Sequence, residues 1–279
     1  MALVFHQNMR TFGGHAPVRN AAFQVALTNI GNATGHQYWA AGFTEVLNDS
    51  AALNVELSAI AQTLDPGLTS LVLIEVGITA VGARSEFVGI AWDPAAFDVD
   101  GAGHVLHVDG AWQAENTNMA GVANATIGLP MLDADLKADA RGLAYVAGTH
   151  GGAPYLLGFM HNMYGLGDRY GGFANLWLMA GRARQAAGAA YAAAEIVIGG
   201  DFNIEPRDPR LHADPYLAHR GARGPAPAGG VGPFVNTTNA HPYDFWLVSD
   251  VAIPDANASV HVDSRTADCS DHAGISLVI

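Results

Sequence analysis

The stretch Glu195-Ile196-Val197-Ile198-Gly199-Gly200-Asp201-Phe202-Asn203 decides how the rest of the chain is read. Three β-branched residues in a row, closed by two glycines, mark a short buried strand. Glycines let a strand end turn tightly. The residues just beyond then present a carboxylate and an amide at the edge of a sheet. There Asp201 can orient a water, and Asn203 can donate to an anionic oxygen. The same residues also suit an Asx turn that merely closes a strand.

Apolar, β-rich runs with turn signals between them recur on both sides of this stretch. Those before it are Leu3–His6, Tyr38–Val46, Ser70–Ile78, Glu86–Trp92, His104–Val108, Leu143–Ala147 and Tyr155–His161. After it come Tyr243–Val248, Ser259–Val262 and Ala273–Val278. Helical patterns fall at Asn20–Ile30, Ser50–Leu64 and Phe173–Ala194, the second with Leu53, Leu57, Ile60 and Leu64 on one face. Many strands with few, separated helices predict two packed sheets with helices outside, not a strict strand–helix repeat. Gly221–Pro233, rich in Gly, Pro and Ala, reads as a surface loop.

With 279 residues, half of them hydrophobic, and no linker, the chain is expected to form a single domain over 1–279. Its net charge of −13, from 13 Lys+Arg against 26 Asp+Glu, argues against a dedicated nucleic-acid binder. It does not exclude a nuclease, because a cation held by carboxylates restores attraction for phosphate. Lys137 is the only lysine. Arginine suits bidentate phosphate contacts, although GC-rich coding gives the same bias. Cys269 is the only cysteine, so no intrachain disulfide is possible. Leu3–Phe5 already reads as a strand, so no signal peptide is expected in this sequence, and a leader removed earlier stays open. Gly, Pro and His break the uncharged stretch Gly148–Gly167, which is not expected to span a membrane.

Other residues suited to chemistry sit at strand ends. Ser270-Asp271-His272 sets a hard oxygen ligand beside a group that titrates near neutrality, just before the last strand. In Tyr243-Asp244-Phe245-Trp246 an acid lies among aromatics, where an unpartnered carboxylate is costly; Asp244 is expected to face a cation or a histidine. His161 ends one strand, Glu45 ends another, and Asn8 follows the first. Each alone also fits a purely structural role.

Their order changes the reading. Asn8, Glu45, His161, Asp201-Phe202-Asn203, Asp244 and Asp271-His272, each at a strand end, together resemble the endonuclease/exonuclease/phosphatase superfamily from first strand to last. Asn8-Met9-Arg10-Thr11-Phe12-Gly13 is similar to the opening of pancreatic deoxyribonuclease-like enzymes. Arg141-Gly142 and Gly200-Asp201-Phe202-Asn203 with Glu205-Pro206 resemble the cytolethal distending toxin nuclease subunit as well.

The resemblance implies a four-layer α/β/β/α sandwich of two mixed sheets. It also implies a divalent-metal-dependent phosphodiesterase, here an endonuclease acting on DNA, with Mg²⁺ (or Mn²⁺ or Ca²⁺). By the same likeness Glu45 is the main metal ligand, with Asn8 and Asp271 nearby. His161 serves as general acid to the leaving oxygen, His272 is its partner, and Asp244 orients His272. Glu86 pairs with His161, Asp201 activates water, and Asn203, Arg10 and Arg141 bind substrate phosphates. The chain departs from the pattern at Thr44, at Phe245 and at Ala273-Gly274. Competing expectations are a phosphatase or phospholipid-type phosphodiesterase on the same fold, or a non-catalytic binding module. A secreted effector or toxin is compatible with the sequence, which leaves compartment and oligomeric state open.

Overall fold

Along β1 (Leu3–Phe12), Val4 faces one way into a core between two sheets, while Leu3, Phe5 and Met9 face a helical layer. Both faces of the strand are buried from Leu3 to Met9, so the polar His6, Gln7 and Asn8 are enclosed together with its apolar residues. The computed structural model describes residues 3–13, 17–35, 37–78, 85–108, 111–116, 127–129, 141–162, 176–205, 222–223, 235–250 and 252–279.

The first sheet joins β1 to β2 (Tyr38–Val46), β3 (Ser70–Ile78), β4 (Ser85–Trp92), β13 (Ala258–His261) and β14 (Gly274–Val278). Its order is β13-β14-β1-β2-β4-β3, with β1 and β2 parallel and β1 and β14 antiparallel. The second contains β5 (Asp98–Val108), β6 (Ala111–Asn116), β7 (Ile127–Leu129), β8 (Leu143–His150), β9 (Ala153–His161), β10 (Glu195–Asp201), β11 (Ala222–Arg223) and β12 (Asp244–Val248). Its order is β11-β12-β10-β9-β8-β5-β6-β7, with β9 and β10 parallel. Helices α1 (Pro17–Thr34) and α2 (Ala51–Leu64) cover the first sheet, and α3 (Leu176–Ala187) covers the second. Between the sheets Val4, Ile90, Val146, Phe159, Val197 and Trp246 form the central core. The result is the expected four-layer sandwich of two mixed sheets.

The apolar face read on the second helix is buried as expected, at Leu53, Leu57, Ile60 and Leu64, and Ser50 caps the helix by accepting from Leu53 N–H. The third helical expectation is too long. Among the described residues its helix stops at Ala187, where Gly188 takes φ +101° and a short 3₁₀ turn follows. Residues 173–175 of that expectation, and the 221–233 loop apart from β11, lie outside the described residues. No described helix is long and apolar enough to cross a membrane.

Gly199 and Gly200 are not turn residues, contrary to the reading above; both lie inside β10. A Cβ on Gly200 would come 2.2 Å from Met160 O, and one on Gly199 would come 2.5 Å from the Trp246 ring. They are needed for close approach. The turn falls beyond them, at Asn203 with φ +51°, a conformation asparagine tolerates better than most residues.

Candidate active site

One edge of the sandwich collects the ends of β1, β2, β9 and β10 and the starts of β4, β12 and β14. Strand register does much of the assembly. Asp201 pairs with His161 across the parallel neighbour and with Asp244 across the antiparallel one. Residues opposite each other in a ladder share a face, so these three stand side by side.

The other sheet reaches the same place by distortion. β1 and β2 slip register between Asn8 and Phe12, and β2 and β4 slip between Phe43 and Val46. In these bulges Arg10, Thr11 and Glu45 take φ of +47°, +58° and +58°. Such conformations cost non-glycine residues roughly 1–3 kcal/mol each. The distortion brings Glu45 Oε2 2.8 Å from Thr11 N and Glu45 Oε1 3.3 Å from Asn8 Nδ2. Among the described residues, every non-glycine positive φ lies in these bulges or at Asn203.

Two histidine–carboxylate pairs result. His161 Nδ1 is 2.8 Å from Glu86 Oε1, and His272 Nδ1 is 2.7 Å from Asp244 Oδ2. Their Nε2 atoms converge on one oxygen: Asp201 Oδ2 lies 3.6 Å from His161 Nε2 and 3.5 Å from His272 Nε2. His161 Nε2 is also 3.2 Å from Glu45 Oε1. Burial alone would lower the proton affinity of His272, but Asp244 and Asp201 outweigh it and raise the pKa to about 10. At His161 burial and Arg141 act to lower the pKa, yet Glu86 and Glu45 leave it raised. Burial would raise the Glu86 pKa, but His161 and Arg141 leave it lowered.

Asn8 acts as a clamp. Its Nδ2 donates to Asp201 Oδ2 at 3.0 Å as well as to Glu45, while its Oδ1 accepts from Arg10 N at 2.8 Å. The oxygens of Glu45 and Asp201 thus lie close together beside the histidines, and an all-oxygen set of this kind suits a hard divalent cation. Asp201, Asp244 and His272 also bring ligand atoms within 4.8 Å of one another and could hold an ion. Two of those three are bonded to each other, however, so we read that group first as a positioned imidazole. Asp271 stands at the rim, half exposed, with Oδ1 3.6 Å from Arg10 Nε.

Arg141 points inward. Its Nε is 3.1 Å from Glu86 Oε2, an ion pair without hydrogen-bond alignment. Its Nη1 lies 2.8 and 2.9 Å from the two ring nitrogens of His161. The Nδ1 facing Glu86 carries a proton and cannot accept, and one donor atom cannot align with both ring nitrogens, so this is a close ring contact rather than two hydrogen bonds. Asn203 donates through Nδ2 to Asn162 O at 2.8 Å, and its own N–H reaches Asp201 Oδ1 at 3.0 Å.

Sequence reasoning missed the supports. Asn162 donates to Phe202 O, Thr237 Oγ1 accepts from Asp244 N–H, and Gln7 donates to His272 O. It also missed His6. Period-two alternation from Val4 to Asn8 places a histidine on the inner face of β1, and that signal was available.

No known sequence family matches the chain, and no curated protein matches it. Solved structures do. An endonuclease/exonuclease/phosphatase family protein from Leptotrichia buccalis is 10% identical with a TM-score of 0.61, covering 100% of this chain and 99% of its own. A mannosyl-6-phosphatase from Bacteroides thetaiotaomicron is 15% identical with a TM-score of 0.59 and the same coverage. D. rerio TDP2 complexed with a single-strand DNA product is 14% identical with a TM-score of 0.55, covering 99% and 97%. The chain has the fold of the endonuclease/exonuclease/phosphatase proteins.

Proposed function

We propose that this chain is a divalent-metal-dependent phosphodiesterase, one domain with one site, that cleaves DNA endonucleolytically. The observation that carries the reading is the convergence of His161 Nε2 and His272 Nε2 on Asp201 Oδ2, each ring anchored by its own carboxylate. Water attacks phosphorus in line while Asp201 accepts its proton, and the phosphorus–oxygen bond opposite breaks. The leaving oxygen takes a proton from His161, and His272 and Asn203 steady the charge on the non-bridging oxygens. Glu45, with Asp271 and with Asn8 through Oδ1, the oxygen that accepts from Arg10 N, would hold Mg²⁺, which when bound supplies Lewis-acid stabilisation of that charge. Plasmid nicking with Mg²⁺, with and without chelator, tests the reading. Loss of activity in EDTA is expected, and undiminished cleavage would overturn the metal role.

A second reading, a phosphatase of small phosphoesters, has a specific observation in its favour. Arg141 is committed to Glu86 and His161, in a chain of net charge −13. Rapid hydrolysis of small esters without cleavage of DNA or RNA would select it.

A further inference from the structure

His6 lies directly behind the site, fully buried between the sheets, with its ring stacked on Phe159 at 6.3 Å and 16°. Its Nε2 is 3.2 Å from Thr44 Oγ1, which is also buried. Its Nδ1 has no hydrogen-bond partner and neither has Asp244 Oδ1, yet the two atoms are 3.8 Å apart. Asp244 is fully buried too, and its other oxygen holds His272 Nδ1. Buried unpaired polar atoms are costly, and at 3.8 Å these two lie close enough for a small shift to pair them.

The donor inventory fixes the direction. A carboxylate oxygen only accepts, so the proton of this bond must come from His6 Nδ1. A neutral imidazole carries one proton, so Nε2 must then be bare, and the Thr44 hydroxyl is the donor that meets it. With Nδ1 facing Asp244 Oδ1 and Nε2 facing Thr44 Oγ1, a ring with a single proton satisfies both contacts.

We propose that His6 is a positioning residue: its Nδ1–H, held in that tautomer by Thr44, donates to Asp244 Oδ1 and so aims Oδ2 at His272. The contact needs to shorten from 3.8 Å to about 2.8–3.0 Å, an ordinary N–H···O distance. The chain Thr44–His6–Asp244–His272 then runs from the β1–β2 ladder, through the core, to the reacting centre. Its catalytic consequence rests on the phosphodiesterase reading above; the hydrogen bond itself does not.

Two measurements separate these. Long-range ¹H–¹⁵N correlation of His6 in the whole chain should show a protonated Nδ1 and a bare Nε2, with the Nδ1 proton signal moving in Asp244→Asn. A protonated Nε2 overturns the proposal whatever the enzyme does. On bis(p-nitrophenyl) phosphate with Mg²⁺, His6→Phe should lower kcat about 10- to 100-fold, as outer-shell partners do, with KM unchanged. His6→Asn, whose amide N–H falls where Nδ1 sits, should recover most of that loss; His6→Gln, with its amide at the Nε2 position, should not. In a His272→Ala background His6→Phe should cost nothing further, because its effect passes through His272. Equal losses in both backgrounds, or no recovery in a folded His6→Asn protein, would reduce His6 to packing. If the wild type cleaves no phosphodiester the functional reading fails, and the tautomer still decides this one.

Discussion

The two histidine–carboxylate pairs of the site look alike in distance and differ in company. Around His161 and Glu86 lies an arginine, with Nε against the carboxylate and Nη1 against the ring. Around His272 stand the carboxylates Asp244, Asp201 and Asp271, with the neutral His6 behind. Arg141 opposes a charge on His161 where nothing comparable opposes one on His272. Both proton affinities are raised, that of His161 against an opposing arginine and that of His272 with burial as its leading opponent.

The largest effect should fall on both pairs together. Excess chelator, or Glu45→Gln, should reduce phosphodiester cleavage to background while leaving thermal stability near wild type. Next, His161→Ala and His272→Ala should each lose about 100-fold or more. A folded variant of either kind with nearly full activity would show that its histidine is misassigned. These losses treat the pairs alike, and the charges around each ring separate them.

His272 supplies the sharper contrast. Its folded pKa, about 10, lies above the unfolded value of 6.5. Its contribution to stability is therefore fully present below pH 6.5 and is lost as pH rises through about 10. Asp244→Asn removes the dominant attraction and should also cost activity by misaiming the ring. The stability gap between wild type and Asp244→Asn should be wide at neutral pH and narrow at the alkaline end, in metal-free thermal melts. Mg²⁺ should lower the His272 pKa, since a nearby cation disfavours imidazolium. Arg141→Ala should move the His161 pKa the opposite way, upward, in an NMR titration, because the guanidinium opposes a charge on that ring. A fall, or no change, would remove the account of why the pairs differ.

What the sequence displayed were groups fixed by position along the chain. Strand ends follow from local pattern, so Asn8, Glu45, His161, Asp201, Asp244 and His272 could be placed at or near strand ends, and the family resemblance implied that they share one site. Partner choice across the sandwich could not, because it depends on contacts far apart in sequence. Arg141 was expected to bind substrate phosphate, and its contacts to Glu86 and His161 were not legible. The three positive-φ residues of the β1 and β2 bulges carry no glycine to announce them. Gly199 and Gly200 announced a turn and proved to be packing contacts. β6 and β7 went unread because one mixes polar with apolar residues and the other has three residues, too little for a period.

The smallest expected effect compares the two arginines themselves. Arg10 is at the rim, 44% exposed and loosely paired to an Asp271 that is itself 54% exposed; Arg141 is 12% exposed and committed to Glu86. An exposed ion pair is worth about 0–1 kcal/mol, so a DNA phosphate can compete with Asp271 for Arg10 at little cost. The buried pair has no such freedom. Each phosphate contact on duplex DNA adds about 0.9 to the slope of log affinity against log salt. Arg10→Ala should therefore raise KM for plasmid DNA a few-fold and flatten its salt dependence by about that unit, while hydrolysing bis(p-nitrophenyl) phosphate like the wild type. Arg141→Ala should slow both substrates and leave the salt slope of DNA cleavage unchanged, because its charge serves the histidine rather than the backbone. Initial rates against salt for the three proteins on both substrates make the comparison. Equal losses on both substrates for Arg10→Ala would take the rim out of DNA binding and favour the small-ester phosphatase.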